Sequence, residues 1–189
     1  MAPFGLSALR SLLGRGVGNT PWQPPESSWS RRFGLGWESP YTVRYASNLD
    51  DGPDHGMPLG GFGAGCLGRS PSGAFNLWNL DGGEHWFGSI PDCQFALWEQ
   101  QGEDVRAHAL ATAPDRDDTD PSGGTPLSAW QWYPASTQGR STGTYAARYP
   151  LSWTHHEDVY RAGVLCEAFS PILPGDYQRT SYPVAVFRW

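Results

Sequence analysis

The sequence predicts an all-β protein, an antiparallel β-sandwich, and three observations support that fold class. Among the 189 residues there are 24 Gly and 17 Pro, which supply many turns. There are also ten Trp, eight Tyr and eight Phe, which favour strands. Beyond the first sixteen residues, no stretch shows a sustained helical period of apolar residues. Short strands joined by frequent turns are the architecture that this combination favours.

The first 38 residues are predicted to form an N-terminal arm that begins with a short helix. Leucines lie on one helical face within residues 1–16, where Arg10 interrupts the apolar run. No small-residue cleavage site follows, which argues against a signal peptide. Residues 17–40 are rich in Pro, Gly and Ser, with Trp at intervals. We interpret this stretch as an extended segment whose Trp side chains attach it to a surface.

The predicted β-sandwich domain covers residues 39–189. Short apolar or alternating runs between turn formers mark its strands, and a long polar connection at 113–143 surrounds one further possible strand. The chain ends inside an apolar β run, which indicates a domain truncated at its C-terminal end. The predicted strand runs lie at 41–45, 74–80, 93–100, 104–112, 143–153, 159–171 and 182–189.

Charge and cysteine content exclude several classes of protein. The net charge is −6 and all 13 basic residues are Arg, so the chain lacks the basic cluster that a nucleic-acid binder needs. No apolar run approaches the roughly 18 residues of a membrane span. Cys66, Cys93 and Cys166 are odd in number and form no CxxC pair. We therefore expect free, mostly buried thiols in a cytoplasmic protein, with Cys93 at the start of a strand.

Glycines are concentrated between residues 56 and 75, where residues 63–68 match the pattern GxGxxG. A dinucleotide site needs a buried strand before this pattern and a helix at its last glycine. Turn formers flank it on both sides, and no GK[ST] follows, so no nucleotide or other cofactor is predicted. We expect residues 60–68 to form one bulged strand in which Phe62, Cys66 and Leu67 pack. Its structural glycines would be Gly60, Gly61, Gly63, Gly65 and Gly68.

Several stretches of the chain carry a more specific signal. They are PYTVRY (40–45), NLDDG (48–52), MPLGGFGAGCLGRS (57–70), FNLW (75–78), YPLSW (149–153), FSPILPG (169–175) and SYPVA (181–185), in that order. Together they resemble the N-terminal domain of glycoside hydrolase family 116, which includes non-lysosomal glucosylceramidases and bile acid β-glucosidases. The resemblance covers residues 22–189 and weakens near 113–128.

The resemblance implies a two-domain enzyme, in which a β-sandwich precedes a larger α-helical domain. Family members are retaining β-glucosidases, which need two carboxyl groups about 5–5.5 Å apart. In the family both carboxyl groups belong to the helical domain. No acidic residue of this chain is therefore expected to be catalytic, and the chain alone is expected to be inactive. Its expected partner is that helical domain, which would carry the β-glucoside or glycolipid substrate.

The resemblance leaves the substrate open, because a lipid-like aglycone and a soluble glucoside are equally compatible with it. A stand-alone carbohydrate-binding β-sandwich that uses exposed Trp side chains is the alternative function.

Residues 79–86 contain the most chemically suggestive cluster of polar and aromatic side chains. One interpretation places this cluster at the rim of the sugar site or at the contact with the catalytic domain. The other is a polar turn between two strands, and we weigh the two evenly. The candidate residues are Asn79, Asp81, Glu84, His85 and Trp86.

Three other groups of residues are weaker candidates. The aspartates within residues 50–54 lack the terminal bidentate Glu of a calcium loop. His155 and His156 would point to opposite faces of a strand, so they would not share a metal ion, and no metal site is predicted. The aromatic residues at 130–133, including Trp132 and Tyr133, could stack on sugars, but packing in the core or at a domain interface is the favoured role.

Overall fold

The computed structural model describes residues 21–34, 55–81, 85–113 and 131–189. Within these residues the chain is an antiparallel all-β domain, as predicted. The predicted N-terminal helix, the strand at 41–45, the aspartates at 50–54 and Glu84 lie outside the described residues. No helix in the described part is long and apolar enough to cross a membrane.

The described residues form thirteen strands, most of them short. In chain order they are β1 (Trp29–Arg32), β2 (Met57–Leu59), β3 (Cys66–Arg69), β4 (Phe75–Asn79), β5 (Trp86–Phe87), β6 (Ala96–Gln101), β7 (Asp104–Ala109), β8 (Ser136–Thr137), β9 (Arg140–Ser141), β10 (Gly143–Arg148), β11 (Leu151–His156), β12 (Val164–Phe169) and β13 (Val186–Arg188). A 3₁₀ turn at Pro91–Cys93 and a single-turn helix at Tyr177–Thr180 complete the elements.

Two larger sheets carry most of the fold. The five-stranded sheet has the order β1-β10-β11-β12-β13, and the four-stranded sheet has the order β2-β3-β4-β5. Strands β6–β7 and β8–β9 form two separate two-stranded sheets. Every pairing between these strands is antiparallel. Strand β1 comes from the predicted N-terminal arm and forms one edge of the five-stranded sheet.

The two larger sheets face each other across an apolar layer. Met57 and Leu59 of β2 are buried in one cluster with Ala168 of β12. The rings of Phe75 on β4 and Phe187 on β13 meet edge to face, with centroids 5.5 Å apart. Alternation along each strand places these side chains on the inner faces, as in other packed antiparallel sheets. The result is a sandwich-like arrangement.

Arg69 connects the two sheets through polar contacts in this layer. Its side chain is 2% exposed, and its Nη1 donates to Thr154 Oγ1 on β11 at 2.7 Å. Its Nε donates to the carbonyl oxygen of Gly73 at 2.9 Å. The rings of Phe95 and Trp189 each lie 5.6 Å from the guanidinium carbon. Burial lowers the pKa of Arg69, and these acceptors and rings compensate for the water that the guanidinium has lost.

The structure corrects the prediction for Cys93. This residue closes the 3₁₀ turn instead of opening a strand, and β6 begins three residues later at Ala96. Pro91 at the first position of the turn accounts for the difference, because its fixed φ favours a helical turn. The expectation of mostly buried thiols is also wrong in part. Cys166 is buried and Cys66 is half-buried, whereas Cys93 is exposed.

The prediction of one bulged strand over residues 60–68 is wrong as well. Strand β2 ends at Leu59 and β3 begins at Cys66, so residues 60–65 are the turn of a hairpin. Gly63 has a φ of +73°, which L-residues with side chains rarely adopt, and it stands where the chain reverses. The register irregularity lies farther on, between Gly68 and Arg69.

Three residues of this stretch were expected to pack, and the structure gives a different outcome for Phe62 than for Cys66 and Leu67. Leu67 packs against the buried cluster of β2 and is itself half-buried, as is Cys66. Phe62 is 64% exposed, so its predicted role in the core is wrong. Its position in the turn, away from both strands, explains the exposure.

Candidate functional site

Four loops converge at one end of the four-stranded sheet, and we call this surface the loop end. They are the β2–β3 turn (residues 60–65), the β4–β5 loop (of which residues 80, 81 and 85 are described), the β10–β11 turn (149–150) and the β12–β13 loop (170–185). The first two share this end because β2–β3 and β4–β5 are successive hairpins of one antiparallel sheet. The other two are turns of the facing sheet.

Close contacts of the main chain hold three of these loops together. The amide of Phe62 donates to the carbonyl oxygen of Thr180 at 2.9 Å, and the amide of Gly60 donates to Ser170 Oγ at 2.6 Å. A Cβ atom at Gly61 would overlap the carbonyl oxygen of Tyr182, and one at Gly65 would overlap that of Asn79. These two glycines therefore permit the β2–β3 turn to approach both neighbouring loops.

The candidate residues of the β4–β5 loop are partly brought together. Asn79 Nδ2 lies 2.6 Å from His85 Nε2, which is hydrogen-bonding distance. For the amide to donate, Nε2 must be the unprotonated nitrogen of the imidazole. Asn79 Oδ1 is buried and has no hydrogen-bond partner among the described residues. Asp81 is exposed.

Trp86 contributes to the candidate site through its contact with Trp78, its neighbour on the paired strand β4. The rings of Trp86 and Trp78 lie 6.4 Å apart, and Trp78 Nε1 donates to the carbonyl oxygen of Gly88 at 2.9 Å. The half-buried indoles thus support β4, which ends at Asn79, and β5, which His85 directly precedes. The arrangement offers hydrogen-bonding groups beside aromatic surface, a combination suited to binding.

Large apolar and aromatic side chains are exposed across the loop end. Each of them has between 41% and 74% of its surface accessible. Several exposed apolar side chains at one end of a domain are typical of contact sites in soluble proteins. The side chains are Phe62, Leu80, Tyr149, Leu173, Tyr177 and Tyr182.

A cleft of about 270 Å³ opens between the β2–β3 turn and the β10–β11 turn. Phe62 and Tyr149 are its aromatic lining residues, which we call its walls, and four glycines of the turn also line it, which we call its floor. No charged side chain lines it in the described structure. Pro58 and Cys66 close its inner side.

The glycine pattern has no helix with which to bind a phosphate. Residues 63–68 span the end of the turn and the first part of β3, and the chain then enters another turn at 70–73. The helix N-terminus that binds pyrophosphate in dinucleotide sites is missing from this position. Among the described residues there is also no group of three His, Cys, Asp or Glu placed to hold a metal ion.

Comparison with known protein families adds to this geometry. The family model described as beta-glucosidase 2, glycosyl-hydrolase family 116 N-term, matches residues 56–189. The chain belongs to this family. The resemblance inferred from the sequence is thereby confirmed. The matched part of the family 116 domain contains strands β2 to β13 and all four loops of the loop end, whereas β1 precedes it.

The histidine pair of the family 116 domain lies on opposite faces of β11, as predicted. His156 is 4% exposed against Tyr133, with ring centroids 4.6 Å apart, and neither of its ring nitrogens has a hydrogen-bond partner in the described structure. Burial, with smaller effects from Arg69 and His155, lowers the pKa of His156 to about 3. His155 Nδ1 lies 3.2 Å from Glu157 on the other face.

Tyr133 also has the predicted core role. It is 1% exposed, and its hydroxyl donates to the carbonyl oxygen of Thr142 at 2.9 Å. Trp132 is half-buried.

Sequence reasoning missed most of the exposed side chains of the loop end. Tyr149, Tyr177 and Tyr182 stand in three separate stretches, and only the strand pairing brings them near residues 60–65. One local signal was present: Phe62 stands between glycines in GGFGAG, which is typical of a turn.

Proposed function

We propose that this chain is the non-catalytic N-terminal domain of a retaining β-glucosidase and that it packs through the loop end against a helical catalytic domain, shaping its active site. The observation that carries the proposal is the exposed apolar surface of the loop end. Leu80, one of its exposed side chains, directly follows Asn79 of the Asn79–His85 hydrogen bond. Family membership supports the enzyme class.

The loop end has the features of a domain interface. Its apolar side chains come from four loops, three of which main-chain contacts fix to one another, so little conformational entropy is lost when a partner covers them. Asn79 Oδ1, which has no partner among the residues that the structure describes, would gain one from a donor on the catalytic domain. Interfaces between domains of one chain combine such apolar and polar groups.

In this proposal the two carboxyl groups that cleave the glycosidic bond belong to the catalytic domain, and the loop end borders their site. The substrate is a β-glucoside, with a glycolipid such as glucosylceramide as one candidate. The 189-residue chain is then expected to show no turnover of an aryl β-glucoside, because both carboxyl groups of the reaction are supplied elsewhere.

Hydrogen exchange provides the test. Amide exchange is compared between the 189-residue chain and a longer polypeptide that includes a family 116 catalytic domain. We expect slower exchange at residues 60–65 and at the described part of 80–85 in the longer polypeptide, because the loop end is covered there. The exposed β6–β7 turn at residues 101–103 serves as the internal control and should exchange equally in both.

Equal exchange at the loop end in both proteins, with protection on another face, would rule out this docking mode. Hydrolysis of the aryl β-glucoside by the purified 189-residue chain, at a rate above that of a mock purification, would overturn its non-catalytic role.

A further inference from the structure

We infer that the cleft between Phe62 and Tyr149 binds one pyranose ring of a neutral glycoside. This site lies in the domain itself, so the inference depends on neither the catalytic domain nor the docking proposed above. It rests on the chemistry of the walls and floor of the cleft, its charge and its size.

The walls suit the apolar faces of a sugar ring. Phe62 and Tyr149 are 64% and 63% exposed, so most of each aromatic ring is accessible. They stand on two different turns that border the same cleft. A pyranose presents C–H groups on its faces, and aromatic rings are the side chains that cover such flat apolar surfaces best.

The floor suits the hydroxyl groups of a sugar. Gly60, Gly61, Gly63 and Gly65 line the cleft without side chains, so the polar groups that they contribute are those of the main chain. The Gly60 amide already donates to Ser170 Oγ and the Gly61 carbonyl oxygen already accepts from Ala64 N, so a sugar would use the remaining groups. An acyl chain in this place would cover those groups without bonding to them, which is unfavourable. Sugar hydroxyls can both donate to and accept from main-chain groups.

The charge and the size of the cleft restrict the class of ligand further. The lining residues carry no charged side chain, so nothing there would select an anionic or cationic group. The volume of about 270 Å³ lies just below the roughly 300–1,000 Å³ of pockets for drug-sized ligands. One ring fits this space better than an oligosaccharide does.

The test is an NMR titration of the 189-residue chain with methyl β-D-glucoside, after a cooperative thermal transition has shown that the chain is folded. We expect saturable binding with a Kd on the order of millimolar, because the contact is one shallow ring. Phe62→Ala should weaken binding by roughly two- to tenfold, and Phe62→Tyr should retain it, because the aromatic face is kept.

Two further variants test whether the glucoside binds at this cleft. Tyr149→Leu removes the other wall and should weaken binding to a similar degree. Tyr177→Ala removes an exposed ring of the loop end that does not line the cleft, so binding should stay unchanged.

Cyclohexanol is the discriminating ligand, because it offers an apolar ring with a single hydroxyl. Binding of cyclohexanol as tight as that of the glucoside would show a merely apolar cleft and would overturn the inference. A folded chain that shows no saturable glucoside binding, or a Phe62→Ala variant that binds as the parent does, would overturn it too. Because the chain alone is titrated, each of these results is independent of whether the loop end docks onto another domain.

Discussion

The two turns that flank β3 are both rich in small residues, yet their surroundings differ completely. The β3–β4 turn at residues 70–73 is covered by the chain itself: Thr112 donates its amide to the carbonyl oxygen of Ser72 at 2.9 Å, and Ser70 is 2% exposed. The β2–β3 turn at residues 60–65 projects Phe62 into solvent. The fold thus seals one end of the four-stranded sheet and leaves the other end open.

The difference separates residues that stabilise the domain from residues available to a partner. At the sealed end, Arg69 donates to Gly73 and Thr154, and its guanidinium contacts two aromatic rings. At the open end, Asn79 uses its amide nitrogen on His85 while its oxygen has no partner in the described structure. Mutations at the sealed end should therefore act on stability, and those at the open end on contacts with other molecules.

Gly73→Ala should have the largest effect on stability. Gly73 has a φ of +91°, and a Cβ atom there would overlap the carbonyl oxygen of Leu110. Left-handed backbone strain and this steric clash together should lower the free energy of unfolding by about 3 kcal/mol or more. Urea denaturation measures the change. A variant as stable as the parent would show that the sealed end is not packed as described.

Acidification should destabilise the interior through His156. The folded-state pKa of about 3 lies below the ordinary value of 6.5, so the unfolded chain binds the extra proton between these two values. The contribution of His156 to stability is complete above pH 6.5 and is lost as the pH falls towards 3, by at most about 1.4 kcal/mol per pH unit. At pH 5 the expected loss is about 2 kcal/mol.

The check is the pH dependence of the unfolding free energy in His156→Phe, which keeps an aromatic ring beside Tyr133. This variant should show a shallower decline between pH 6.5 and pH 5 than the parent does. His155→Phe is the matched control on the opposite face and should keep the slope given by His156. An unchanged slope in His156→Phe would contradict the assignment.

Gly63→Ala is the counterpart of the change at Gly73. Gly63 also has a positive φ, +73°, but a Cβ atom there would meet nothing within 4 Å. Only the backbone strain remains, so the expected loss is about 1 kcal/mol. Comparing the urea midpoints of the two alanine variants isolates the steric part. Equal losses at both glycines would remove the distinction between the sealed and the open end.

The sequence predicted the fold class, the family and several strands, because these depend on local patterns. The alternating run at 104–112 became β7, and the run at 74–80 became β4. It did not predict which turn would be covered. That outcome depends on contacts between distant parts of the chain, such as the hydrogen bond from Thr112 N to Ser72 O.

The candidate site could also be predicted from the sequence only where its contacts are local. The side chains of Asn79 and His85 are close in sequence, and their hydrogen bond forms within one loop and its strand. Most of the exposed side chains of the loop end come from other loops, and no short sequence motif predicts that these loops converge. Phe62 was misassigned to the core because a large apolar residue in strand-like sequence is usually buried, whereas here it occupies the turn.

Leu80→Ala should have the smallest effect in the 189-residue chain and a larger one in a polypeptide that includes the catalytic domain. Leu80 is exposed at the loop end, so in the chain alone its truncation should change the unfolding free energy by less than about 0.5 kcal/mol. If the catalytic domain covers this side chain, the same truncation should cost about 1–2 kcal/mol, because apolar burial is lost. Val105→Ala, at an exposed position of the β6–β7 hairpin, is the matched control and should have the same small effect in both proteins. Urea unfolding monitored by Trp fluorescence measures both variants. An effect of Leu80→Ala that is equally small in both proteins would mean that the open end of the sheet stays open, and the docking surface would then have to be sought elsewhere on the domain.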